Sequence, residues 1–261
     1  MDKSRLLTRA IVRLPSTNFA AGLTTVDLGT PDYEKALQQH AAYCDALRSL
    51  GLTVSVLPAD SRHPDSTFVE DTAVLTEFCA VIARPGAESR RGEVAGIESE
   101  LAKCFHDVRS ISSPGILDGG DICEAGDHFF IGLSERTNEA GAIQLAEILT
   151  TQGYTTSLVD VRNIKSILHL KSGLGYVGAN QLVVIDELAE FTQFRGYDLI
   201  RVSVDEQYAA NCVRINDTVL IASGYPMFAD QLELRQLKTV AIEMSEFQKM
   251  DGGLSCLSLR F

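Results

Sequence analysis

A unit of hairpin, helix and strand recurs along this 261-residue chain, and that recurrence restricts the fold more than any other feature. Alternating apolar and polar residues mark the strands, and a 3.6-residue period marks the helices. Residues 9–14 read as a strand ended by Pro15. Residues 31–50 read as an amphipathic helix, with Thr30 as N-cap, Pro31 at the first helical position and Gly51 as its stop. A strand at 52–57 follows. Residues 67–75 and 79–83 form the next strand pair, then a helix at 89–105 and a strand at 108–111. The third unit has a hairpin, 121–123 with 128–131, about Gly126-Asp127, then a helix at 138–152 and a strand at 155–159. Residues 167–177 pair with 181–185 and lead to a strand near 199–202. The last full unit has strands at 210–215 and 219–221, a helix at 227–237 and a strand at 239–242. Residues 254–261 then alternate as a final strand, with Leu257, Leu259 and Phe261 on one face and Cys256, Ser258 and Arg260 on the other.

Matching points of the units fall at Phe19, Glu70, Asp118, His169, Asn211 and Cys256, in steps of 51, 48, 51, 42 and 45 residues. A period of ~40–50 residues belongs to repeat and propeller-like architectures. Five intervals predict a ring of five units, in which the last strand pairs beside the first and removes a free edge. Polar residues at the matching points then converge on the ring axis. The chain is read as one domain, residues 1–261. Residues 16–28, which hold the uncharged run Asn18 to Leu23 with Gly22, are read as a mobile lid loop.

Several function classes fall away. The net charge of −12 disfavours nucleic acid, whose phosphates are neutralised by Lys and Arg. It is compatible with a small cationic substrate. No apolar run is long enough to span a bilayer. The start, Met1 to Arg5 and onward, is too interrupted by charge for a secretion signal, so the expected compartment is the cytoplasm. The six cysteines are scattered, with no metal-ligand spacing, and are expected as free thiols.

Taken singly, each chemical candidate competes with a plain structural role. Asp65, Glu70 and Asp71 sit in a stretch that also suits a solvated turn. Asp118 precedes two glycines, as turn residues often do. His169 alternates with Leu168 and Leu170, as an edge histidine would. Arg90 and Arg136 stand at comparable places before helices, where they serve either as surface charges or as a bidentate carboxylate clamp. Together, a Cys, a His and an Asp at equivalent points of three units make the inventory of a thiolate nucleophile, an acid/base and its orienting carboxylate. A Glu-Asp pair at a fourth adds recognition of a cation.

In this order and spacing, FVED, LDGGD, LSERTN, HLKSG, AANC and the terminal GGLSCLSLRF resemble dimethylarginine dimethylaminohydrolase over nearly the whole chain. That family is part of the guanidine-modifying superfamily, whose fold is a five-bladed α/β propeller, the pentein fold. The resemblance implies Cys256 as nucleophile, His169 as general acid/base and Asp118 as the carboxylate orienting it. It implies Asp71 with Glu70 as guanidinium-binding acids, Asp65 as a contact at the amino-acid end, Arg90 and Arg136 on the α-carboxylate, and main-chain contacts at Phe19 and Met250. The implied substrate is a methylated arginine, hydrolysed without metal or organic cofactor. Two other readings stay open: an arginine deiminase or related amidinohydrolase, and a propeller-like binding protein with a structural Cys256. The sequence does not fix the oligomeric state, and a homodimer is one outcome it allows.

Overall fold

The computed structural model describes residues 5–261, so residues 1–4 of the charged start lie outside the described residues. Among the described residues, fifteen strands form five sheets of three. The first sheet contains β1 (Arg9–Arg13) and β2 (Thr53–Leu57). The second has β3 (Ala73–Leu75), β4 (Cys79–Ile82) and β5 (Asp107–Ser110). The third has β6 (Ile122–Ala125), β7 (His128–Leu133) and β8 (Thr155–Asp160). The fourth has β9 (Leu174–Gly178), β10 (Gln181–Ile185) and β11 (Asp198–Val202). The fifth has β12 (Val213–Ile215), β13 (Thr218–Ala222) and β14 (Lys238–Ile242). The last strand, β15 (Leu259–Arg260), returns to the first sheet antiparallel to β1, with Ala10 opposite Arg260. The expected pairing of the two ends is therefore present.

Every sheet joins an antiparallel pair to a third, parallel strand. A parallel neighbour needs a crossover. Helices α1 (Tyr33–Ser49), α2 (Val94–Leu101), α3 (Glu139–Thr151) and α4 (Pro226–Leu234) supply four of the five. Two 3-10 turns, Asp186–Leu188 and Thr192–Phe194, supply the fifth. The middle strands, such as CAVI and TVLIA, are buried along their whole length and read as unbroken apolar runs. The cores lie between neighbouring sheets and beneath the helices. One of them unites Tyr43 and Leu47 of α1 with Leu220, Ile242, Leu254 and Leu257.

Element starts differ from expectation in a consistent way. Cys256 is not on a strand: Ser255–Leu257 is a 3-10 turn, entered with Leu254 in helical conformation (φ −59°, ψ −39°), and only Leu259–Arg260 is extended. The expected strand at 67–75 begins as the turn Val69–Thr72, and that at 167–177 begins with His169 leading into the turn Leu170–Ser172. The turn Gly119–Asp121 follows Asp118, Val204–Ala210 precedes Asn211, and Phe19–Ala21 starts at Phe19 inside the expected loop. The helix expected from 89 starts with the 3-10 turn Glu88–Glu93. In α1 the N-cap is Asp32, whose carboxylate accepts from the Lys35 amide at 2.9 Å, instead of Thr30.

These turns are held to one another by polar side chains. Asp71 accepts from the Gly120 amide at 2.9 Å, and Asp121 from the Leu170 amide at 2.9 Å. Asn211 donates to the Lys171 carbonyl at 3.1 Å and accepts from the Ser255 amide at 2.9 Å. The Ser255 hydroxyl donates to Glu70 at 2.6 Å, back to the turn where the circuit began. Side-chain bonds of this kind offer the backbone an alternative to the strand ladder, which is why alternating sequences here form turns.

Candidate active site

The six residues at the matching points lie on or next to these turns. Buried Asp118 meets His169, with Asp118 Oδ2 and His169 Nε2 3.1 Å apart. Asp71 Oδ1 lies 4.0 Å from the same nitrogen. The Gly86 amide holds the other Asp118 oxygen at 2.9 Å. Burial opposes the imidazolium, but Asp71 and the Asp118 hydrogen bond outweigh it and raise His169 to about 9. Burial alone would raise Asp118, yet His169 and Arg90 hold its carboxyl below the ordinary value. The two glycines of LDGGD are required by close approach. A Cβ on Gly119 would lie 2.0 Å from the Glu70 carbonyl oxygen, and one on Gly120 would lie 2.7 Å from Asp71 Oδ1 and 2.9 Å from His169 Nδ1.

Cys256 is part-exposed. Its sulfur accepts from the Gly253 amide at 3.3 Å, an orientation that favours a thiolate. Burial, Glu70 and Asp71 push the resting thiol up to about 12. A cation entering beside these carboxylates relieves that repulsion. Asp71 acts electrostatically on both the thiol of Cys256 and the imidazole of His169.

Glu70 is engaged by other side chains. Both its oxygens are taken, one by Arg260 at 2.9 Å and by Lys171, the other by Ser255. It lines a separate cavity of about 180 Å³ with Arg5, Lys171 and Arg260. It braces the turn that carries Cys256. Arg90 is likewise engaged, pairing with Asp71 at 2.5 Å and Glu93 at 2.8 Å while buried. Asp71 still has acceptor capacity, because a carboxylate offers about four lone-pair sites. Arg136 stands at the rim, 3.9 Å from Asp118 and 17% exposed.

The remaining candidates gather under residues 16–28. Asp65 accepts the Leu23 amide on both oxygens, at 3.0 and 3.2 Å. The Thr25 amide donates to Asp251 at 2.5 Å, and the Thr24 hydroxyl to the Lys249 carbonyl at 3.0 Å. Gly22 passes so close that a Cβ there would meet Asp65 Oδ1 at 2.3 Å and Met250 Cε at 3.2 Å. The Phe19 ring is fully buried, packed against Phe68 and Phe247 with centroids 5.8 and 5.6 Å away. Its carbonyl is the part that faces the turn, accepting from Gly22 at 3.1 Å. Sequence reasoning missed Ser255, Lys171, Arg260 and Asp121 as supports of the site. Only the Asn211 spacing hinted at the hydrogen-bonded circuit.

Asp71, Asp118 and His169 bring ligand-type atoms within 4.8 Å of one another. Arg90 on Asp71 and the His169–Asp118 hydrogen bond already engage these residues.

Five three-stranded blades whose turns bring a cysteine, a histidine and buried carboxylates together define a hydrolase of the guanidine-modifying, five-bladed α/β propeller class. The model of the eukaryotic N,N dimethylarginine dimethylhydrolase family matches residues 30–257. The N(G),N(G)-dimethylarginine dimethylaminohydrolase of Pseudomonas aeruginosa is 42% identical, over 96% of this chain and 98% of its own. That of Streptomyces coelicolor is 36% identical, over 97% and 96%. The crystal structure of a cysteine-to-serine mutant of the Pseudomonas enzyme, complexed with citrulline, superposes with a TM-score of 0.95 at 41% identity, covering 98% of this chain and 100% of that one. The chain belongs to the dimethylarginine dimethylaminohydrolase family. A cyanobacterial arginine dihydrolase domain shares the fold, with a TM-score of 0.86 at 16% identity, covering 98% of this chain and 97% of that domain. Among the described residues no helix is long and apolar enough to cross a membrane.

Proposed function

We propose that this chain hydrolyses Nω-methylated arginine, asymmetric dimethylarginine and monomethylarginine, to citrulline and the alkylamine in the cytoplasm. The observation that carries this reading is the position of Asp71, 4.0 Å from His169 Nε2 and next in sequence to Glu70, which holds the Cys256 turn through Ser255. A guanidinium is permanently cationic and resists attack. Bound against Asp71, its charge offsets the carboxylates that keep the thiol protonated, and the thiol proton leaves to solvent. Asp65, Arg90 and Arg136 orient the amino-acid end, and main-chain atoms of Phe19 and Met250 complete the wall. Holding the central carbon beside sulfur lowers the cost of orientation.

The thiolate of Cys256 then bonds to that carbon. The carbon–nitrogen bond to the alkylamine breaks as imidazolium His169 gives the amine its proton, leaving an S-alkylthiouronium. Neutral His169 takes a proton from water, the hydroxide adds to the same carbon, and the carbon–sulfur bond breaks as the hydroxyl proton passes to the sulfur, releasing citrulline and the thiol. Residues 16–28, docked on Asp65 and Asp251, act as the lid that keeps other water out.

Alkylation of Cys256 tests this, read on its own peptide because Cys104 is also exposed. A neutral reagent, iodoacetamide, is expected to react slowly at pH 7 and about tenfold faster per pH unit up to pH 9, since the thiolate fraction rises that way below a high pKa. Cationic 2-chloroacetamidine is expected to label far faster at pH 7, and methylarginine to protect. Equal rates for the two reagents, or no protection, would contradict the reading.

A further inference from the structure

We propose that Asp121 is a positioning residue of this site, holding His169, Asp118 and the Arg136 turn in one hydrogen-bonded unit. The proposal rests on the reading of His169 as acid/base. Asp121 is fully buried. Its Oδ1 accepts from the amide of Leu170, the residue after His169, at 2.9 Å. Its Oδ2 accepts the hydroxyls of Ser134 at 2.7 Å and Thr137 at 2.6 Å. Each hydroxyl carries the contact onward. Thr137 Oγ1 accepts the Asp118 amide at 3.1 Å, and Ser134 Oγ accepts the amides of Arg136 at 2.9 Å and Thr137 at 3.2 Å. The Asp121 amide closes the unit on the Asp118 carbonyl at 3.1 Å. One carboxylate therefore ties together backbone at His169, at Asp118 and at Arg136.

The chemistry of the contacts requires a carboxylate. All three groups facing it are donors, and an ionised carboxylate only accepts. An amide would aim an N–H at a donor: at Leu170, or at two hydroxyls of which Thr137 must also receive Asp118. The charge matters as well as the shape. His169 faces Asp118 at 3.1 Å and Asp71 at 4.0 Å, with Arg90 and Arg136 behind those carboxylates, and Asp121 adds to the negative field that favours the imidazolium. A clamp of this type serves turnover, because the acid/base must be placed within tenths of an ångström of its proton.

The test uses Thr137→Val, Thr137→Ser and Asp121→Asn in the full chain, with steady-state kinetics on asymmetric dimethylarginine and NMR titration of the His169 imidazole. Thr137→Val keeps the shape and removes the relay. It is expected to lower kcat about tenfold or more with KM within about twofold, while Thr137→Ser stays within about twofold of wild type. Asp121→Asn is expected to lower kcat further and to move the His169 titration down by about one pH unit. A Thr137→Val protein with unchanged kcat and only reduced thermal stability overturns the proposal. So does a Thr137→Ser protein as impaired as Thr137→Val. If Asp121→Asn does not fold, the Thr137 pair decides. If the wild type makes no citrulline, the proposed reaction has failed separately, and the His169 titration still reads the hold of Asp121: an unchanged midpoint in Asp121→Asn overturns it.

Discussion

Replacing Cys256 with alanine is expected to abolish citrulline formation, by a factor of ~10⁴ or more, while methylarginine still binds. The size follows from the chemistry. The hydrolysis runs through a carbon–sulfur bond, and no other thiol can stand in. Cys123 and Cys212 are buried and face the separate cavity lined by Glu70, and burial pushes their thiols up to about 11 and about 12. Water without the covalent step would have to attack a resonance-stabilised cation directly. Binding should survive because Asp71, Asp65, Arg90 and Arg136 are untouched. The measurement is turnover beside isothermal calorimetry with the same ligand. A variant that keeps its function would favour a structural cysteine, as in a binding protein.

Deleting residues 258–261 should unfold the chain, not merely slow it. Leu259 is buried in the core that joins the first two sheets, worth ~2 kcal/mol. Three backbone hydrogen bonds link Phe261 to Thr8 and Arg9, each worth ~1 kcal/mol net. Tyr43 would lose Ser258, bonded at 2.6 Å in the core, and Glu70 would lose Arg260. Stranding a buried carboxylate and a buried phenol adds ~1–3 kcal/mol each. Together these rival the ~5–15 kcal/mol that holds a typical domain folded. Circular dichroism melts should show no cooperative transition near that of the full chain. A truncated protein with an unchanged melting temperature would mean that β15 is decoration.

The spacing of Phe19, Glu70, Asp118, His169, Asn211 and Cys256 was enough to find the ring, because each unit repeats the same order of elements. The same alternation misled locally. Residues 254–261 and 167–177 carry strand-like patterns, yet Asn211 captures the Ser255 amide, Glu70 the Ser255 hydroxyl and Asp121 the Leu170 amide, and the chain turns there. Such captures join residues 44, 185 and 49 apart, and nothing local announces them. Glu70 shows the cost most clearly. Beside Asp71 in sequence, it reads as half of a carboxylate pair, while its partners Lys171 and Arg260 lie 101 and 190 residues away. Asp121 was hidden differently: the second aspartate of LDGGD reads as turn chemistry until the Ser134 and Thr137 hydroxyls are seen converging on it.

The most direct measurement of the central claim is citrulline released from asymmetric dimethylarginine, monomethylarginine and arginine, each incubated alone with the protein. Citrulline is expected from both methylated substrates, with the alkylamine in equal amount. Citrulline from arginine alone would contradict that claim and place the chemistry with the deiminases.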